Sequence, residues 1–436
     1  MEKSRLPSRT LAHILPIMNI RSLTVGAALS QDESGRIDLI DKLGAFAHTG
    51  RAALEAAGFT VQTTRFSTQS LELWAATGDG AAASVVEVAQ ASLAAGLDYC
   101  SLGTIQAASS PEDPTIPSLM AALPSLLMLA ENCFGSIQVG VRQDGAGIVN
   151  LDAVKASALA IQTLAHSTPD GFGNLRFAAA SNCPPHVPFF PASYYMEDNR
   201  NSGGPEFGIA LEAADLAVLA FTGARSHEEA RGNLLALLAD EAGKVAEICA
   251  SFGADAGFAF TGLDISMAPF PSPDRSIARA LETLIGGPLG SPGTLAAAAF
   301  FTSILRDARA LVPTVGYSGL MLPALEDQTL ADRAAEGLVT LDTLLLMSAV
   351  CGLGLDTVPL AGDISLKQLE NIILDMATLA VRLDKPLTAR LLPVPGKAAG
   401  DPAEWPDFPY FAKGRVFVVP APSQTDSLFT GSTLTI

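Results

Sequence analysis

The stretch YCSLGTIQ (99–106), followed by FGSIQVGVR (134–142), decides the fold of this chain. Both segments are rich in β-branched and apolar residues, as buried strands are, and the region between them has a helical pattern. The same unit recurs, because similar runs begin near residues 20, 59 and 172. Strands that alternate with helices predict an α/β fold with a largely parallel sheet that is covered on both faces.

A second series of strand-like runs follows in the C-terminal half. A long helical stretch at about 206–252 separates it from the first series. The sequence therefore predicts ten strands in two groups of five. The strands of the second group are expected to begin near residues 258, 312, 354, 389 and 415.

The domain organisation follows from these two series. Residues 1–19 are expected to form an N-terminal extension, because their short apolar stretch is interrupted and precedes the first strand. Residues 20–436 are expected to form one α/β domain. Its first half would cover about 20–225 and its second half about 226–436.

Composition limits the classes of partner. Of 436 residues, 49% are hydrophobic and 17% are charged, a balance typical of a large folded core. The net charge of −18 disfavours nucleic acid, whose phosphates are also negative. No apolar run approaches the roughly 20 residues of a membrane span, so no membrane partner is expected. A homo-oligomer is compatible with this composition.

Cysteine usage indicates a reducing compartment, and the sequence contains no recognisable cofactor motif. The five cysteines are scattered and include no CxxC pair, which favours a cytoplasmic protein without a disulfide framework. The same pattern contains no zinc-ribbon or iron–sulfur motif. Neither GxxxxGK[ST] nor GxGxxG occurs in a suitable context, so no nucleotide motif is predicted.

Proline-rich loops follow several predicted strands. They are NCPPHVPFFP (182–191), APFPSP (268–273) and PVPGK (393–397). The α/β sheets and barrels bind their ligands at loops that follow the carboxyl ends of strands. We therefore expect the functional site at these loops, although prolines also simply end strands.

Three acidic residues and one histidine are the candidates for catalysis. Asp264 lies late in a strand and Asp363 at the end of another, so both could face one cavity. Two such carboxylates suit a divalent metal ion or paired acid–base chemistry. Glu326 lies in a loop after a strand, and His186, among prolines, could transfer a proton or bind metal. The alternatives are carboxylates that accept hydrogen bonds from loop amides and a histidine without either role.

Polar residues near these carboxylates are candidates for substrate binding. Ser266 shares one strand face with Asp264, because side chains alternate along a strand. Tyr317 and Ser318 lie in VGYSGLMLPALED (315–327), in and after another predicted strand.

Three further binding candidates are a lysine and two residues at a helix start. Lys397 follows the strand that contains Arg390, and a cation there could hold a substrate carboxylate. Ser291 is predicted as the N-cap of a helix, with Pro292 at its first position. With Gly293 it would present free amides to an anion, or it would only cap the helix.

The C-terminal third contains three long motifs of unusual composition. They are CGLGLDTVPLAGDIS (351–365), LDKPLTARLLPVPGKAAGD (383–401) and FPYFAKGRV (408–416). These motifs resemble the domain-of-unknown-function 711 family, also called uncharacterised protein family 0210, and the resemblance covers about 20–419. It implies the fold of pyruvate formate-lyase-like proteins, a ten-stranded β/α barrel of two five-stranded parallel halves. The count of five plus five strands agrees with that implication, whereas an eight-stranded barrel or an open doubly wound sheet would be expected without the resemblance.

Glycyl radical chemistry is not expected, despite the implied fold. Glycyl radical enzymes have a glycine in an RVxG motif that is followed by an aromatic residue. The similar place here is GRVFVV (414–419), where Val418 takes the position of that glycine. A valine α-carbon does not stabilise or expose a radical in the same way.

Three hypotheses of function remain. Asp, Ser, His and Lys in proline-rich loops favour a non-radical enzyme that acts on a small polar metabolite through carboxylates, with or without a divalent metal ion. The alternatives are a small-molecule binding protein without turnover and a structural or assembly protein. Clustered titratable groups would distinguish an enzyme from a binding protein.

Overall fold

The computed structural model describes residues 18–30, 32–75, 78–196, 204–421 and 429–436. Most of the predicted extension at 1–19 lies outside the described residues. Asn19 already belongs to the first strand.

Among the described residues, one large sheet contains all but two of the strands. Its eleven strands are mostly parallel to their neighbours, and the two-residue strands β11 and β12 pair only with each other. In chain order the strands are β1 (Asn19–Gly26), β2 (Val61–Ser67), β3 (Tyr99–Ile105), β4 (Cys133–Gln143), β5 (Ala146–Asn150), β6 (Phe177–Ser181), β7 (Glu206–Glu212), β8 (Ala259–Asp264), β9 (Gly354–Ala361), β10 (Leu387–Val394), β11 (Pro402–Ala403), β12 (Gly414–Arg415) and β13 (Thr433–Thr435).

The strand order shows how the sheet is built. Along the sheet it is β8-β7-β1-β2-β3-β4-β6-β10-β9, and β5 pairs with β4 and β13. Strands β1, β2, β3, β4 and β6 are parallel to one another. Strands β7 and β10 run antiparallel to this group, and each has a parallel outer partner, β8 or β9. A central parallel group is therefore flanked by two pairs of opposite direction.

The segment between Val312 and Leu325 lies between the two edge strands. Leu263 of β8 forms an isolated parallel bridge with Thr314, and Asp356 of β9 forms one with Pro323. These bridges do not make a continuous ladder, so the described strands do not form a closed barrel. The predicted α/β class is confirmed. The pairing alone does not establish the ten-stranded barrel of two halves.

Helices connect most of the strands. The first two helices contain the apolar residues Leu43 and Val88, and a capping box of Ser365 with Gln368 begins the helix at 366–383. None of the helices in the described ranges is both long enough and apolar enough to cross a membrane. The α-helices are α1 (Glu33–Ala56), α2 (Asp79–Ala94), α3 (Ile116–Leu129), α4 (Leu151–Ser167), α5 (Ala214–Phe221), α6 (His227–Ala256), α7 (Ile277–Ile285), α8 (Thr294–Ala308), α9 (Gln328–Ala335), α10 (Leu341–Ser348) and α11 (Leu366–Leu383).

The secondary-structure predictions were wrong at three places from residue 206 onward. The expected helical stretch at 206–252 begins instead with β7, which is buried along its length between β1 and β8. The run near residue 312 forms only isolated bridges and no continuous strand, because Gly316 and Ser318 have left-handed backbone angles, φ +67° and +42°. The run near residue 415 is only the short β12, outside the main sheet.

The hydrophobic core lies between the sheet and its helices. Strands β6, β7 and β10 are buried at every position, as expected of a sheet covered on both faces. Phe46 of α1 stacks on Phe258 with ring centroids 3.8 Å apart and meets Phe207 of β7 edge-on at 4.9 Å. Charged side chains within such a core therefore require an explanation.

Candidate functional site

A cavity of about 110 Å³ lies between strands of both directions. Its polar wall comes from β1, β2, β9 and β10. Its apolar wall includes Phe134, Phe189, Phe190, Met321 and Phe408. Residues of the proline loops 182–191 and 268–273 line it, as expected, whereas no residue of 393–397 does.

One side of the cavity contains a compensated cation. Arg390 of β10 donates through Nε to Asp356 Oδ1 of the neighbouring β9 at 2.5 Å and through Nη2 to Glu326 Oε1 at 2.9 Å. All three residues are buried. Burial opposes the charged guanidinium, but the two carboxylates outweigh it and raise the pKa of Arg390. The charge of Arg390 is therefore balanced within the protein.

Glu326 extends this network to β1. Its Oε2 accepts from Arg21 Nη2 at 2.8 Å, so each of its oxygens is bound to an arginine. Arg21 also contacts Glu212 of β7 at 3.3 Å, and Arg275 contacts the other oxygen of Glu212 at 2.9 Å. The predicted catalytic Glu326 thus lines the cavity, but as the centre of an ion-pair network.

Arg65 of β2 is the uncompensated cation of the cavity. Its side chain lies near the rings of Tyr99 and Phe190, with its guanidinium carbon 5.8 and 5.1 Å from the ring centroids. Nε donates to Thr63 Oγ1 at 2.9 Å. Among the described residues no carboxylate forms an ion pair with Arg65, and its Nη atoms have no hydrogen-bond partner. Burial, and then the nearby charge of Arg21, lower the pKa of Arg65 to about 9, which leaves it charged at neutral pH.

Four of the predicted residues meet at the end of β8. Asp264 is fully buried and accepts from the amides of Ser266 (3.0 Å), Tyr317 (2.8 Å) and Ser318 (2.9 Å). Burial raises the pKa of Asp264, although these hydrogen bonds lower it. Ser266 Oγ accepts from the amide of Gly319 at 2.9 Å. In this group Asp264 binds loop amides, which was the alternative to a catalytic role, and only Tyr317 lines the cavity.

His186 lies in a different place from these residues. It is buried, and its Nδ1 is hydrogen-bonded to Oε1 of Glu206 at the start of β7. Both line a separate space of about 10 Å³. In the same loop, burial raises the pKa of the Cys183 thiol to about 12, so this thiol is protonated at neutral pH.

Asp363 and Lys397 are exposed on adjoining loops. The amide of Gly362 donates to the carbonyl of Lys397 at 2.9 Å, and neither predicted side chain lines the cavity. The structure does not bring Asp363 to Asp264. Within the described ranges no three His, Cys, Asp or Glu side chains group as a metal site, and the metal role of the two aspartates stays a prediction.

The predicted helix cap at Ser291 was wrong. The N-cap of α8 is Gly293, with φ +104°, and Thr294 is the first helical residue. Ser291 instead donates from Oγ to the carbonyl of Pro288 at 2.6 Å, which closes a turn before the helix. Neither Ser291 nor Gly293 lines the cavity.

Sequence reasoning missed Arg65 and Arg21, although a signal was present. Arg65 is the one charged residue of FTVQTTRFST (59–68), a run that otherwise predicts a buried strand. A charge in such a strand requires a partner. Val418, the residue at the position of the radical glycine, is 70% exposed and does not line the cavity.

Comparison with known proteins identifies relatives along most of the chain. A family model described as "Uncharacterised ACR (DUF711)" matches residues 16–407. A UPF0210 protein of Pyrobaculum aerophilum is 35% identical over 291 residues, which cover 65% of this chain and 62% of that relative. A UPF0210 protein of Desulforudis audaxviator is 30% identical over 295 residues, 66% of this chain and 64% of the relative. One of Neisseria meningitidis is 28% identical over 314 residues, 69% and 66% respectively. The chain thus spans less than two thirds of the length of these curated relatives.

Proposed function

The chain belongs to the DUF711 family, also named UPF0210, and from this premise we propose that it binds a small organic acid at Arg65. The family description states no activity, so the proposal depends on the geometry of the cavity. The observation that supports it is the buried guanidinium of Arg65, which has no carboxylate partner among the described residues. Burial of an unpaired charge is costly, and a ligand carboxylate would offset that cost through two parallel hydrogen bonds.

The charges of the cavity wall favour a ligand with one carboxylate. Three arginines (21, 65 and 390) and two carboxylates (Glu326 and Asp356) line the cavity, which leaves one positive charge. A monocarboxylate neutralises that charge. Because the remaining wall is largely aromatic and aliphatic, the rest of the ligand should be compact and apolar.

Ligand-observed NMR and calorimetry with butyrate and benzoate test this proposal. The wild-type protein should bind an acid of this class, and the matching amides, butyramide and benzamide, should bind much more weakly. The Arg65→Gln variant should lose about 100-fold in affinity, because it removes a buried charge-assisted pair. Arg51→Gln, which removes a half-exposed arginine outside the cavity, should bind as wild type does. Equal affinity of wild type and Arg65→Gln would reject the proposal.

Turnover of the bound acid is a second candidate function. The observation that favours it is that Asp356 and Glu326 face the same cavity as Arg65. Such an enzyme would act without a glycyl radical, since Val418 replaces the glycine of that motif. Proton NMR of the bound acid over several hours, with and without Mg²⁺, separates the two functions. A changing spectrum supports an enzyme, and an unchanged one supports binding without turnover.

A ten-stranded barrel is the finer fold that we propose. The bridge at Thr314 is parallel to β8, and the bridge at Pro323 is parallel to β9. The segment between Val312 and Leu325 would therefore be the fifth member of a group with β7, β8, β9 and β10, opposite in direction to the central five strands. Hydrogen exchange tests this. The amides of Leu263 and Ala324, which donate across these bridges, should be as protected as those of β1, and rapid exchange would exclude closure.

A further inference from the structure

A second cavity, of about 370 Å³, contains an uncompensated group of cations. It is lined by α8, by residues 317–319, by residues 349–352 after α10 and by residues 385–386. Three of these residues are cationic: Arg306, Arg309 and Lys385. No Asp or Glu occurs among the described residues that line it. Such a group is unexpected in a chain with 27 basic and 45 acidic residues.

The hydrogen bonds of these cations go to neutral acceptors. Arg309 Nη2 donates to the carbonyls of Tyr317 (3.0 Å) and Ser318 (3.1 Å). Lys385 Nζ donates to the carbonyl of Ser348 at 2.9 Å and to that of Cys351. Within the described part of the chain Arg306 has no ion pair. Carbonyl dipoles therefore face charges that no carboxylate of the cavity neutralises.

Helix C-termini favour each of these cations singly, but they do not supply the negative charge that three cations around one cavity would require. Arg306 lies in the last turn of α8 and Arg309 is its C-cap, where cations are favoured by the helix dipole. Lys385 belongs to the segment between α11 and β10, and its Nζ donates to the carbonyl of Ser348, the last residue of α10, so a second helix C-terminus favours its charge. Burial lowers the pKa of Lys385, and an anion in the cavity would favour its charged form.

We propose that this second cavity binds a phosphate group, either as inorganic phosphate or as part of a small phosphorylated metabolite. Three cations exceed what one carboxylate can neutralise, whereas a phosphate has two negative charges near neutral pH and several acceptor oxygens. The two arginines suit phosphate geometry and the lysine adds a point charge. The two cavities share Tyr317 in their walls, but their cations differ, since neither Arg65 nor Arg390 lines the second cavity.

Calorimetric titration of the Arg65→Gln protein tests the phosphate site without interference from the first cavity. The probes are inorganic phosphate and glycerol 3-phosphate, with sodium chloride held at 0.15 M as in the cell. Phosphate should bind, and tighter binding of glycerol 3-phosphate would identify a phosphorylated metabolite as the source. Absence of binding of both probes would overturn the proposal.

Two variants in this background locate the binding. Arg306→Gln should weaken phosphate binding about tenfold, because it removes one charge-assisted contact. Ala299→Asp, at an exposed position of α8 that lines the cavity, should abolish it by charge repulsion. Lys42→Gln removes one positive charge from α1 and serves as the matched control, with unchanged affinity expected. Equal affinities of Arg306→Gln, Ala299→Asp and Lys42→Gln would show that phosphate binds elsewhere and would reject the site.

Discussion

Arg65 and Arg390 face the same cavity from different strands, and they are buried to nearly the same degree, 9% and 8% exposed. Arg390 contacts the carboxylates of Asp356 and Glu326. Arg65 contacts a threonine hydroxyl and two aromatic rings. Burial opposes the charge at both positions, and the carboxylates reverse that effect only at Arg390. Pairing with carboxylates, rather than burial, therefore distinguishes a structural cation from one that is available to a ligand.

The largest expected effect is the loss of stability when Arg390 is replaced. Arg390→Met leaves Asp356 buried without a cation and Glu326 with Arg21 alone, and the broken pair should lower the free energy of unfolding by about 3–5 kcal/mol. Urea denaturation followed by circular dichroism measures this change. The control is Arg231→Met, which breaks a more exposed pair with Asp307 and should cost less than about 1 kcal/mol. If both variants lose the same small amount of free energy of unfolding, the ion pairs of Arg390 do not stabilise the fold.

The fold features that the sequence predicted depend on local patterns. Strands β1 to β4 are contained in short stretches whose apolar and β-branched residues indicate a strand without the rest of the chain. Strand β7 was missed because its seven residues precede two helices, and its state depends on pairing with β1 and β8. Those partners are remote in sequence, so local propensity does not report them.

The candidate site was less predictable for the same reason. Asp264 was identified, but the amides that it accepts from, those of Tyr317 and Ser318, lie 53 and 54 residues away. Whether such a carboxylate binds amides or faces a cavity depends on the path of that loop. The lack of a partner for Arg65 likewise depends on where β9 and β10 place Asp356 and Arg390. A single sequence can indicate which charged residues are buried. It gives much less information about which of them form ion pairs.

A smaller effect of opposite sign is expected at Arg65. Without ligand its unpaired charge destabilises the folded state, and a neutral side chain of similar length removes that penalty. Arg65→Met should raise the free energy of unfolding by about 1–2 kcal/mol, since lost contacts with the two rings offset part of the gain. The same urea experiment measures it, in buffer without organic acids. A loss of stability as large as that of Arg390→Met would mean that Arg65 is paired within the protein, as Arg390 is.

The smallest expected effect tests the same physical argument on an unpaired charge outside the cavity. Glu72 accepts from the amide of Gln106 through Oε1 at 3.2 Å, and its buried Oε2 has no hydrogen-bond partner in the described residues. Burial raises the pKa of Glu72 to about 7. Because the folded pKa lies above the unfolded value, the folded state binds more protons between about pH 4.5 and 7, and stability falls as the pH rises through this range.

Glu72→Gln should therefore remove that part of the pH dependence. The variant and the wild-type protein should differ little at pH 4.5. At pH 8 the variant should be more stable by about 1 kcal/mol, a value reduced from the full pKa shift because the side chain is partly exposed to solvent. Urea denaturation at the two pH values gives the difference, and Glu55→Gln, at an exposed position of α1, is the control that should show none. A constant difference across pH would mean that the missing partner of Oε2 is supplied by solvent, and that an unpaired charge in this protein is tolerated only where water reaches it. Water would then solvate Arg65 as well, and no ligand carboxylate would be needed to offset its charge.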